Sequence, residues 1–254
     1  MVEEERLSRL ALSLSDVASE RSTSVILLAG GKGTRFSKEE PKLTAKIEGQ
    51  PLLAMAARTI VTLGFVRQLV LVVRTELQHE ITQVVNQLEP LMQPANVTYA
   101  VCEGGATRSE SVQAGLNEVM NKYVLIHDGS RPLASRALFE RVIAQVEPGI
   151  GVVPTLRPAD SLLTADGEGH VLGYLQRIEV RLAQTPQGFI TSEYRAAREA
   201  LGDKALSYSD DGSVFLAAGY EMLTISGEEA NLKITHANHL IVAQQLFHET
   251  RRDS

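Results

Sequence analysis

One cysteine, no tryptophan and few aromatic residues set limits on this 254-residue chain before any motif does. Cys102 stands alone, so neither an intrachain disulfide nor a cysteine-cluster zinc site can form. That suits a reducing compartment, and a cytoplasmic protein is expected. There is no basic excess either. The net charge is -6, whereas non-specific nucleic-acid binders are usually basic, so nucleic acid is not an expected partner. No apolar run reaches the roughly 20 residues needed to cross a bilayer, which argues against a membrane protein. Glu3, Glu4 and Glu5 stand where a secretory signal would carry positive charge. Internal repeats and low-complexity linkers are lacking too. What is there is ordinary for a globular domain: 44% hydrophobic and 22% charged residues, in a chain long enough to bury a core.

Residues 1–23 read as an N-terminal extension. Leu7, Leu10, Leu14 and Val17 recur at spacings of 3 and 4, which fits a short amphipathic helix. It docks on the domain or on a partner, or it is a frayed end. Residues 24–250 read as a single domain. SVILLAG (24–30) has the unbroken apolar character of a strand buried on both faces. A helix over 51–64, a strand over 67–74, a helix over 76–91 and a strand over 96–104 follow. The next pair is a helix over 109–120 and a strand over 123–129. Strands alternating with helices of this length imply parallel βαβ units. The fold class is therefore α/β: a Rossmann-like open, mostly parallel sheet with helices on both faces. In such sheets ligands sit beyond the carboxyl ends of strands, so Gly30, Gly104 and Asp128 should converge. Residues 154–188 break the rhythm. A Gly-rich turn separates DSLLT from HVLGYLQRI, and 154–182 read as a projecting β-arm. A strand pair that projects needs cover, and a second copy of the chain would supply it in a homodimer. A strand over 221–227 and a closing helix over 236–250 complete the domain.

The turn GGKGTRF (30–36) follows the first strand. A dinucleotide fingerprint needs a third glycine, and Phe36 stands in its place. A Walker A loop needs Lys followed by Ser or Thr, and Lys32 is followed by Gly33. What remains is a glycine loop in which backbone N–H groups can approach phosphate oxygens closely, with Arg35 and Lys42 close behind. A tight turn with incidental surface cations is the plainer alternative.

GGKGTRF followed by PK resembles a nucleotidyltransferase signature. GGATRSESV (104–112), HDGSRP (127–132), TPQGF (185–189), SDDGS (209–213) and NLKIT (231–235) narrow it. Together they resemble the 2-C-methyl-D-erythritol 4-phosphate cytidylyltransferase family of non-mevalonate isoprenoid synthesis, over about residues 24 to 245. Each motif is weak alone; the order and spacing are specific.

The resemblance implies transfer of CMP from CTP to a small polyol phosphate, with release of pyrophosphate and with Mg²⁺ as cofactor. It places Arg35, Lys42 and Lys233 at the triphosphate and the α-phosphate as catalytic cations. Ala29, Gly30, Gly31 and Gly33 would cradle the nucleotide. Gly104, Gly105, Arg108 and Ser111 match the segment that reads cytosine. Asp128, at a strand end, would hold the metal, with Arg131 orienting that carboxylate or the phosphates. Ser161, Arg177, Thr185 and Ser209 match positions around the acceptor, Arg177 from across the dimer. His127 is the exception in its motif and reads as structural. Taken singly, Lys233 is also an ordinary solvated lysine, Asp128 a turn former, and Ser111 a helix-start hydroxyl. An acceptor phosphate is already ionised at neutral pH, so the reaction asks for positioning and charge rather than a general base.

Several positions depart from the family pattern: Phe36, Leu43, Gly129, Ser130 and Leu163 among them. Ala230 replaces an acid beside NLK, with Glu228 or Glu229 as the available substitute. Most departures fall at the acceptor end. Ribitol 5-phosphate or another alditol phosphate is therefore the alternative acceptor, and a catalytically weakened nucleotide-binding regulator the alternative of a different class.

Overall fold

The computed structural model describes residues 14–30 and 45–252. Strand β1 (Thr23–Leu28) lies at the centre of an eight-stranded sheet. The short β2 (Lys46–Ile47) and β3 (Gln50–Pro51) pair antiparallel with each other outside it. β4 (Val66–Val73) pairs parallel to β1 on one side, and β5 (Thr98–Glu103) continues parallel beyond β4. On the other side β6 (Tyr123–Asp128) pairs parallel with β1, Leu28 opposite Asp128. Beyond β6 the short β11 (Gln187–Ile190) runs antiparallel, followed by β7 (Ile150–Leu156) and β12 (Glu221–Ser226), which pair parallel. β10 (Leu182–Ala183) adds an antiparallel step on β7. The expected mostly parallel α/β sheet is thus present. After β5 the chain returns past β1 to form β6, so the sheet switches direction between the carboxyl ends of β1 and β6, where ligand crevices form.

The unbroken apolar strands follow from cover on both faces. Val25, Leu27, Leu69, Leu71 and Leu125 face one core, with Ile60 of helix α2 (Leu52–Val61), Leu88 of α3 (Gln78–Met92) and Val142 of α5 (Arg136–Gln145). Ile26, Val70, Val72, Val124 and Ile126 face the other. Their partners include Leu116 of α4 (Arg108–Glu118), Tyr194 of α6 (Thr191–Leu201) and Phe215 of α7 (Asp211–Ala217). α4 lies especially close to the sheet. A Cβ on Gly115 would sit 2.7 Å from Val72 Cγ2 and 2.8 Å from Ile26 Cγ2. Among the described residues, no helix is long and apolar enough to cross a membrane.

The N-terminal extension contributes α1 (Leu14–Ser19), which packs on α5. Arg21 fastens it there. Its guanidinium donates to the carbonyls of Ile143, at 2.8 Å, and Val146, and lies over the Tyr123 ring. Residues 1–13, which include Leu7 and Leu10, lie outside the described residues.

Two stretches differ from the sequence reading. Pro154–Leu156 belong to β7 in the main sheet rather than to the arm, and β10 and β11 return to that sheet. The separate hairpin consists of β8 (Leu162–Ala165) and β9 (Val171–Leu175), paired only with each other. QGFI was not visible as a strand because all four residues are buried, with no alternation to reveal it. The closing helix α8 (Ala237–Arg252) follows the expected course.

Candidate active site

The carboxyl ends of β1, β5 and β6 meet as their turns require. Ala29 N–H donates to the Val72 carbonyl at 2.7 Å, Gly104 N–H to Val73 at 2.7 Å, and Gly129 N–H to Leu28 at 2.9 Å. A side chain at Gly104 has no room, since its Cβ would lie 2.8 Å from Ser111 Oγ. A Cβ on Gly30 would reach the same hydroxyl at 3.5 Å. Gly30 and Gly104, two of the three strand-end residues expected to converge, therefore meet at Ser111. Ser111 Oγ itself donates to the Thr107 carbonyl at 2.9 Å, the ordinary bond of a helix-start hydroxyl. Gly105 is excluded from carrying a side chain by Glu110, whose carboxylate closes a capping box with Thr107 at the start of α4. Gly31, Gly33, Arg35 and Lys42 lie outside the described residues.

Asp128 is the centre of charge. It is 6% exposed, and three cations converge on it. Lys233 Nζ lies 2.7 Å from Oδ2, Arg108 Nε 3.3 Å from Oδ1, and Arg131 Nε 3.9 Å from Oδ2. Burial alone would raise this carboxyl. The Lys233 ammonium, and then the Arg108 guanidinium, overcome burial and hold it well below the ordinary carboxylate range. Burial likewise pushes the Arg131 guanidinium down, against the pull of Asp128. Its Nε finds no hydrogen-bond acceptor among the described residues.

Backbone bonds explain how a loop lysine reaches a strand-end carboxylate. The NLKIT segment is laced to the two neighbouring motifs. Arg131 Nη1 donates to the Asn231 carbonyl at 2.7 Å, Asn231 Nδ2 to the Thr185 carbonyl at 2.8 Å, and Ile234 N–H to the Ser130 carbonyl at 2.9 Å. Thr185 is buried beneath Asp128, and its Oγ1 accepts the Asp128 N–H at 3.1 Å. His127 completes this floor. Burial drives its imidazole down to about 4, so it is neutral at pH 7. The Arg131 carbonyl, 3.1 Å from Nε2, can only accept, so Nε2 carries the proton. Nδ1 must then accept the Thr185 hydroxyl, 3.0 Å away. His127 is structural, as expected, and it fixes which way Thr185 points.

Arg108 does more than the sequence suggested. Besides Asp128 it reaches Asp211, 2.7 Å from Nη2. Burial works against its charge, and Asp211, then Asp128, more than restore it. Asp211 and Asn231 were not singled out from the sequence. The doubled acid in SDDGS was the available signal: Asp210 caps α7 by accepting Ser213 N–H, which leaves Asp211 to face inward.

Among the described contacts, Ser161, Ser209 and Arg177 make none with Asp128 or its three cations. Ser161 and Ser209 are exposed. Arg177, near the hairpin, is exposed and donates to the Ala159 carbonyl at 2.6 Å. The proposed substitutes for the missing acid at Ala230 are not equivalent. Glu229 is exposed. Glu228 is occupied, accepting from Ser135 Oγ at 2.6 Å and Arg141 Nη2 at 3.0 Å.

The donor set suits a cation delivered with a polyphosphate. Among the described residues no three His, Cys, Asp or Glu side chains could enclose a metal. Asp128 offers one carboxylate, and Mg²⁺ is commonly held by one or two carboxylates with phosphates and water.

The family model described as 2-C-methyl-D-erythritol 4-phosphate cytidylyltransferase matches residues 23–249. The chain belongs to this family. A cytidylyltransferase of that name from Prochlorococcus marinus is 31% identical over 231 residues, which cover 88% of this chain and 97% of the relative. The crystal structure of the cytidylyltransferase from Thermus thermophilus superposes with a TM-score of 0.67 at 32% identity, covering 88% of this chain and 97% of that one. A synthase structure from Anaerococcus prevotii, 24% identical, shares the fold with a TM-score of 0.73 over 90% of this chain and 99% of its own. Among the described residues, the segments 104–112, 127–132, 185–189, 209–213 and 231–235 meet around Asp128 and Arg108.

Proposed function

We propose that this enzyme transfers CMP from CTP to 2-C-methyl-D-erythritol 4-phosphate, giving 4-diphosphocytidyl-2-C-methyl-D-erythritol and pyrophosphate. The observation that carries the reading is the cluster of Lys233, Arg108 and Arg131 on the buried Asp128 at the sheet's switch point. Three cations against the carboxylates of Asp128 and Asp211 leave one net positive charge for phosphates. An acceptor phosphate oxygen attacks the α-phosphorus, the α–β bridging bond breaks, and pyrophosphate leaves with the bond's electron pair. Lys233, joined by Arg35 and Lys42 from the glycine loop, neutralises the charge that builds on the α-phosphate. Fixed charges of this kind are worth about 3 kcal/mol each in the transition state. Gly30, Gly104 and Ser111 line one spot where backbone groups would meet the nucleotide, and the family resemblance adds Ala29, Gly31, Gly33 and Gly105 to that contact. Asp128 would hold Mg²⁺, which when bound supplies charge neutralisation across the phosphates. Thr185 and Arg131 would meet the acceptor, joined by Ser161 and Ser209.

The hairpin supports a homodimer in which Arg177 reaches the partner's acceptor. Leu172, Tyr174 and Ile178 are 68%, 71% and 72% exposed in the single chain. Apolar patches of this kind mark interaction surfaces. Residues 24–250 act as one catalytic domain in this reading, with 1–23 as an extension, and a cytoplasmic setting suits both substrates.

Ala230 motivates a regulator with weakened catalysis, and the motifs are shared with one alternative acceptor class, an alditol phosphate such as ribitol 5-phosphate. Pyrophosphate release with CTP, Mg²⁺ and each acceptor in turn separates the readings. Turnover with methylerythritol 4-phosphate supports the main reading. Turnover with ribitol 5-phosphate alone replaces the acceptor, and silence with both, while CTP still binds, would favour a regulator.

A further inference from the structure

Arg108 is held between two carboxylates of different character. Its Nε lies 3.3 Å from Asp128 Oδ1 and its Nη2 2.7 Å from Asp211 Oδ2. Asp128 also receives Lys233. Asp211 receives no second cation in the described residues. It is 2% exposed, and its Oδ1 accepts the Tyr194 hydroxyl at 2.9 Å. That hydroxyl lies 3.4 Å from Arg198 Nη1. Arg198 in turn donates to Gln113 Oε1 at 2.7 Å and to the Ser109 carbonyl at 3.0 Å, both on α4. The chain of contacts leaves α4 through Arg108, crosses α7 and α6, and returns to α4 one residue from where it began.

A guanidinium meets a carboxylate best through two parallel N–H groups. Nη2 is kept from Asp128 because Asp211 occupies it. Without Asp211, both Nε and Nη2 could close on Asp128, using the carboxylate that Lys233 shares and withdrawing Arg108 from the nucleotide. We infer that Asp211 is a positioning residue for this reaction: through the Tyr194–Asp211 bond it holds the Arg108 guanidinium turned away from a two-point pair with Asp128. The inference rests on the reading that Arg108 serves the nucleotide.

A double-mutant cycle tests it, with kcat/KM for CTP as the readout. Asp211→Asn keeps an acceptor for Tyr194 but removes the charge that holds Nη2. We expect a loss of about tenfold in kcat/KM for CTP, within the coupling range of groups in direct contact, with the KM of the acceptor unchanged. Arg108→Met should be at least as damaged, and adding Asp211→Asn to it should cost little more. Tyr194→Phe, which removes only the hydroxyl, should show a smaller loss that also vanishes beside Arg108→Met; it carries the test if Asp211→Asn does not fold. Losses that multiply in the double variants would overturn the inference while leaving Arg108's role intact. An Arg108→Met enzyme with full turnover would overturn both.

Discussion

Replacing Asp128 by Asn should destabilise the folded chain, although Asp128 lies in a site where function commonly takes precedence over stability. The carboxylate faces cations at 2.7, 3.3 and 3.9 Å. At an effective dielectric of about 20, these attractions are roughly 6, 5 and 4 kcal/mol. Desolvation of the buried carboxylate offsets several of these, and Lys233 contributes less than its distance suggests because its side chain is 40% exposed and can turn to water. Breaking a buried pair typically costs about 3–5 kcal/mol, so about 3 kcal/mol is the expectation here. At an m-value of about 3 kcal/mol/M, the urea midpoint should fall by about 1 M. The pH dependence follows from the direction of the shift. A carboxyl held below its ordinary value contributes fully above about pH 4 and loses that contribution as pH falls through the folded value. The gap between wild type and Asp128→Asn should therefore be constant from pH 5 to 8 and narrow in acid. Urea unfolding followed by circular dichroism without nucleotide measures it. An Asp128→Asn protein as stable as wild type at pH 7, or a gap that widens in acid, would refute the reasoning.

Three further outcomes are expected. Lys233→Met should lower kcat by about 10²–10³ with the fold intact, as judged by pyrophosphate release and circular dichroism; turnover within threefold of wild type would count against it. Glu228→Gln should cost about 1 kcal/mol in urea, because its charge holds Ser135 at the start of α5 and Arg141. Its kcat should not change, whereas a large drop would mean that Glu228 replaces the acid missing at 230. Ile178→Asp should turn a dimer into a monomer in sedimentation and lower turnover as Arg177 loses its place across the interface; a wild-type chain that sediments as a monomer at micromolar concentration would remove the dimer altogether.

The parts of the molecule that were legible before the structure share a physical reason. β1, β4 and β6 are buried on both faces, so their apolar runs are continuous, and Asp128 stands out as the acid that ends one of them. Local pattern fails where tertiary packing decides. β11 is four buried residues without alternation, and its place between β6 and β7 depends on partners more than 30 residues away. Asp210 and Asp211 are alike in sequence; one caps a helix and the other is sealed behind Arg108, a difference set by Tyr194 and α4. Lys233 was legible only through its motif, since a lysine in a loop gives no local sign that Asp128 is 2.7 Å away. Glu228 illustrates the reverse: nearness in sequence to Ala230 suggested a shared duty, and the fold commits it to α5 instead.

In cytidylyl transfer the α-phosphorus of the nucleotide, with its cytidine, is what moves. CTP labelled at the α-phosphorus, or separately at the γ-phosphorus, should be incubated with wild-type enzyme, Mg²⁺ and methylerythritol 4-phosphate. The α label should appear in the acceptor product and the γ label in pyrophosphate, while γ label on the acceptor, or α label left in free CDP, would rule out cytidylyl transfer.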